Sequence, residues 1–165
     1  MEAKSVAGAA IIHQLGPITG LAQGLAASIP ADRFGRLCAG VSGPVQANHP
    51  AWVFGHLCLY PGRVATLLGV DAGEVLPPDG WEELFGPGAA CVDDPEGSVY
   101  PGKDELLERY AALHDAVRGV IADVDDAKWA EETPVERYRG RFPTVLTAVA
   151  FPMASHPPLP LPPLT

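Results

Sequence analysis

The glycines and prolines of this chain, 18 of each, fall most densely between Val70 and Gly102, and prolines crowd the sequence again after His156. Between these breaks four segments are long enough to repeat an apolar pattern at helical spacing. In the first, Ile11, Ile12, Leu15, Ile18, Leu21, Leu25 and Ile29 form one stripe. Gly16-Pro17 is expected to bend it, because Pro17 has no N–H for the carbonyl four residues earlier. The second starts at Asn48-His49-Pro50, where Asn48 or His49 can cap and Pro50 suits the first turn. Trp52, Val53, His56, Leu57, Tyr60, Val64, Leu67 and Leu68 carry this stripe to Gly69, with a kink expected at Pro61.

The third segment has the cleanest period, through Leu106, Tyr110, Leu113, Val117, Val120, Ile121 and Val124, with Asp104 and Glu105 at the positive end of the helix dipole. The fourth runs through Phe142, Val145, Leu146, Val149, Met153 and His156, and Pro152 is expected to break it. No stretch reads as a strand. The economical solution is an all-α four-helix bundle over residues 1–156, with a long loop between helices two and three. Residues 157–165 form an extended, proline-rich tail outside the bundle.

With 165 residues the chain suits one domain. Eleven Lys and Arg against 20 Asp and Glu give a net charge of −9, which repels a phosphate backbone and argues against nucleic-acid binding. Cys38, Cys58 and Cys91 contain no Cys-x-x-Cys pair, so neither a disulfide framework nor a zinc knuckle is written here, and a reducing cytoplasm is the expected location. No proline-free apolar stretch is long enough for a transmembrane helix, so no membrane partner is expected.

His56 shares the apolar stripe of helix two, so its ring is expected to face inward, where its nitrogens need a hydrogen-bond partner or a metal. Gly55 beside it permits a close helix approach. His156 falls on the inward stripe of helix four, and inward histidines from separate helices are how bundle metal sites are built. His114, at the border of the helix-three stripe, is a rim residue that an inward rotation could make a third ligand. His49 is read as a cap, and His13 has no distinguishing feature. Cys58 is about 200° around the helix from His56, which excludes a nucleophile–base pair without a bend. The acidic clusters at Asp93-Asp94, Asp123 to Asp126 and Glu131-Glu132 are read as solvated surface.

Several short motifs resemble the DinB-like superfamily of small bacterial proteins. They are Asn48-His-Pro-Ala-Trp52-Val-Phe-Gly-His56-Leu with Tyr60-Pro61 and Leu67-Leu68-Gly69, then Tyr100-Pro101-Gly-Lys-Asp104-Glu-Leu-Leu107, then Thr133-Pro134-Val-Glu with Arg141-Phe-Pro-Thr-Val145. The resemblance implies an up-down-down-up bundle that holds a nickel or zinc ion through three histidines, one in the Gly-His-Leu of helix two and two in a His-x-x-x-His of helix four. His56 matches the first and His156 the second. Pro160 stands where the third belongs, and prolines 157, 158 and 160 forbid the turn that would present it. The implied activity is metal-dependent hydrolysis or thiol-dependent transfer on a small-molecule or thiol substrate, with a homodimer as a possible assembly. The alternative is a non-catalytic binding or interaction bundle that has lost its metal site through the altered C-terminus.

Overall fold

A computed structural model describes residues 2–40, 43–44 and 47–156. It is mostly helical: α1 (Val6–Ala27), α2 (Pro50–Leu57), α3 (Tyr60–Leu68), α4 (Trp81–Phe85), α5 (Lys103–Ala122), α6 (Asp126–Ala130) and α7 (Val145–Ala150), the last followed by a π turn, Phe151–Ser155. A two-residue antiparallel ladder, β1 (Ala39–Gly40) with β2 (Gly43–Pro44), is a small addition to the all-α reading. The tail expected over 157–165 lies outside the described residues. Among the described residues no helix is long and apolar enough to cross a membrane.

Helix α5 packs against α1, α2 and α3, and α7 closes on α3 and α6. Two apolar clusters result. One gathers Phe34, Trp52, Phe54, Phe85, Tyr100 and Tyr110; the other gathers Ile11, Leu15, Val64, Val117, Ile121 and Val149. Pro17 does not end α1. Pro17 and His13 are both exposed, so water can serve the His13 carbonyl that loses its donor. Pro61 does more than kink helix two. It withholds the N–H that Leu57 would need, so α2 ends there and α3 restarts at Tyr60 with Pro61 in its first turn.

Pro152 likewise redirects helix four rather than stopping it. The chain widens to a π turn in which the His156 N–H donates to the Phe151 carbonyl at 2.7 Å. The expected long loop between Val70 and Gly102 contains α4 and is tied down by Asp94. This residue is buried, and its carboxylate accepts the backbone N–H groups of Ser98, Val99 and Tyr100. Asp93 accepts from Arg36 Nε and from the Leu37 N–H. Asp93 is exposed, as its reading as solvated surface expects, whereas for Asp94 that reading is corrected: main-chain donors with no local partner recruit its buried carboxylate.

Ser5 ties α1 to α6. Its buried hydroxyl caps α1 by accepting the Gly8 N–H at 3.2 Å and also accepts Trp129 Nε1–H at 2.8 Å. Ser5→Ala removes a cap and strands a buried indole donor, so a loss of about 2 to 3 kcal/mol is expected in urea unfolding. A variant within about 0.5 kcal/mol of the parent would show that the bond to Trp129 carries no stability.

Candidate functional site

His56 lies in the last turn of α2. Its Nδ1 is 2.8 Å from the Phe85 carbonyl oxygen. A carbonyl only accepts, so Nδ1 carries the proton and Nε2 presents a lone pair. That carbonyl ends the short helix α4 and has no helical partner of its own. Gly55 makes the approach possible: a Cβ there would collide with the Phe85 ring, which is fully buried. The Tyr60 hydroxyl donates to His56 Nε2 at 3.1 Å, across the break between α2 and α3. Trp52 stacks on the imidazole, with ring centroids 4.9 Å apart and planes 14° from parallel.

The π turn brings His156 to the same place. On an α-helix, residues five apart point in different directions, whereas i→i+5 closure aligns them. The His156 ring therefore stacks on Phe151, with centroids 5.3 Å apart. It meets Tyr60 edge-on at 5.0 Å and His56 edge-on at 5.7 Å. Both His156 nitrogens are buried without a hydrogen-bond partner among the described residues. A buried polar atom left without a partner costs about 1 to 3 kcal/mol, so this ring is the member of the group best placed to take an added ligand.

Burial holds both imidazoles below the ordinary histidine range. The Phe85 carbonyl opposes this at His56, while the neighbouring His56 and Arg63 reinforce it at His156. Both rings are neutral at pH 7, which leaves lone pairs to accept a proton or bind a metal. Burial also pushes the Tyr60 hydroxyl up, so it stays protonated. Beside the trio lies a cavity of about 210 Å³, whose wall includes Tyr60, Arg63, Tyr138, Phe142 and Phe151.

The other candidates lie elsewhere. His49 caps α2 as expected, its Nδ1 accepting the Trp52 N–H at 3.2 Å, and its Nε2 donates to the Val92 carbonyl at 3.0 Å. His114 is no rim residue: it is 1% exposed, donates from Nδ1 to the Tyr110 carbonyl at 2.9 Å, and leaves Nε2 without a partner among the described residues. Its stripe position next to Leu113 turns fully inward once α1 covers α5. Cys58 is buried, and burial pushes its thiol far up, which makes it a poor nucleophile. His13 is exposed. Among the described residues no three His, Cys, Asp or Glu side chains group closely enough to hold a metal ion.

Sequence reasoning missed Tyr60 and the Phe85 carbonyl. Tyr60 was legible in principle, because a residue four positions after His56 shares its helical face. The carbonyl was not, since main-chain groups leave no mark in side-chain patterns. The chain matches no protein-family model, no curated protein and no solved structure.

Proposed function

We propose that the chain is a DinB-like four-helix bundle with α1, the interrupted α2–α3 pair, α5, and α7 with its π turn as its walls. In this reading it takes a divalent ion, nickel or zinc, through His56 and His156. The observation that carries the reading is the pairing of two neutral imidazoles a hundred residues apart in sequence, one anchored and one with both nitrogens unpartnered among the described residues. His56 has the usual form of a metal-binding histidine, with one nitrogen donating to a carbonyl and the other free to ligate once the Tyr60 hydroxyl turns away. His156 has no competing hydrogen bond among the described residues. Among the described residues the donor set offers two histidines and not the three that the resemblance implies.

His56 and His156 would hold the ion, which would supply an acidified water or thiol, the chemistry of hydrolysis and of thiol-dependent transfer. The protein's own part is to keep both rings neutral, fix the His56 tautomer through Phe85, and offer the Tyr60 hydroxyl as a proton donor beside them. The missing third donor favours a second reading, a non-catalytic bundle that binds a ligand at the same place.

Nickel and zinc titrations by calorimetry at pH 7.5 test the metal. Saturable binding is expected in the parent, with at least a tenfold loss in each of His56→Ala and His156→Ala, the range in which losing a supporting group alone weakens metal sites. Absence of binding in the parent, or equal binding in the variants, overturns the metal site and leaves the second reading.

A further inference from the structure

We infer that the cavity beside the histidine pair binds a small organic carboxylate with an apolar, aromatic body. The inference names the ligand class of the site proposed above and relies on that reading only for the ligand's place beside the histidines. The cavity, about 210 Å³, has room for one aromatic ring with a short acidic arm. Its wall is largely apolar, with Leu67, Phe142, Ala148 and Phe151 among its residues. Tyr60 and Phe151 both line it and both pack on His156, so a ligand seated there is separated from the histidines by these two rings.

Charge selects the rest of the ligand. The chain carries only 11 cations against 20 acids, yet Arg137, Arg139 and Arg141 fall within one five-residue stretch that includes the wall residue Tyr138 and abuts Phe142. Arg139 is neutralised by Glu132 at 3.0 Å, and Arg63 in the wall pairs with Glu82. Like Arg137, which lies over the Tyr138 ring and donates to its hydroxyl, Arg141 is in none of the ion pairs among the described residues. Its guanidinium lies 5.4 Å from the Phe142 ring centroid and 5.3 Å from that of Phe151, poised over two rings of the cavity wall. An apolar aromatic pocket with the uncompensated Arg141 guanidinium over two of its rings suits an aromatic anion: the rings take the body and the guanidinium takes the carboxylate.

The probe is phenylacetate, with phenylacetamide as its neutral isostere, titrated by NMR into the parent, Arg141→Gln and Ala148→Phe proteins, each stripped of metal with a chelator. Saturable shifts at the cavity residues are expected with phenylacetate. Affinity is expected to fall about tenfold or more with phenylacetamide or in Arg141→Gln, since a charge-assisted hydrogen bond is lost. Ala148→Phe fills the cavity and is expected to abolish binding. Arg141 is exposed, so Arg141→Gln keeps the test valid even if Ala148→Phe fails to fold. Equal affinity for the two probes, indifference to Arg141→Gln, or no saturable binding overturns the inference. Phenylacetate binding by a protein that takes up no nickel or zinc sinks the metal reading alone. Metal uptake without phenylacetate binding sinks this inference alone.

Discussion

Gly55→Ala is expected to destabilise the protein by about 1 to 3 kcal/mol and to weaken any ligand bound at His56, because one added methyl group acts on two levels of structure. The new Cβ would collide with the Phe85 ring, which is fully buried and packs edge-on against Trp81 and stacked against Tyr100. Neither neighbour can yield without moving in turn, so α4 must move away from α2. The Phe85 carbonyl then leaves His56 Nδ1, and the ring loses both its tautomer and its orientation. For a chain of this size the cost corresponds to a fall in Tm of between about 2 and 12 °C. Calorimetric melting, together with the Nδ1–H resonance of His56, checks both levels. An unchanged Tm with that resonance in place would show that Phe85 accommodates the methyl group freely.

Acidification to pH 4 is expected to remove about 3 kcal/mol of stability through His114 alone. Burial lowers this ring from the ordinary 6.5 to about 4. In the unfolded chain His114 binds a proton near pH 6.5, whereas in the folded protein it does so only near pH 4. Between these values the unfolded state carries more protons, so stability is full above pH 6.5, declines as pH falls, and levels off below about 4. His49, His56 and His156 are lowered too and add in the same direction. The carboxylates of Asp93 and Asp94, held below their ordinary 3.8, act at lower pH and do not share the window. Urea unfolding at pH 7.0, 5.5 and 4.5 measures the slope. In His114→Leu the slope should flatten; a slope unchanged by that substitution would assign the acid sensitivity to other groups.

The apolar periods identified the principal helical segments because a stripe is a local property of helical geometry. They were less reliable about burial. Leu21 sits on the α1 stripe yet is 57% exposed, while Ala22 and Ala26, which no hydrophobic count would favour, are buried. Close packing with α5 selects small side chains on that face and leaves the leucine outside. Proline positions were legible as breaks, but their outcomes were not. Pro17 is absorbed, Pro61 divides a helix, and Pro152 opens a π turn, because each depends on what can serve the carbonyl left without a donor.

His56 and His156 were legible as inward residues from spacing alone, and the structure brings their rings together. Helical periodicity, cap chemistry and charge are properties of neighbours along the chain, so the sequence by itself determined the all-α class, the His49 cap and the inward face of His56. Only the tertiary structure decided which nitrogen of His56 is protonated, that Tyr60 and not a third histidine completes the cluster, and that His114 is sealed in the core. Those outcomes depend on the Phe85 carbonyl, the π turn and the packing of α1 on α5, which join residues far apart in sequence through contacts that exist only once the helices have docked.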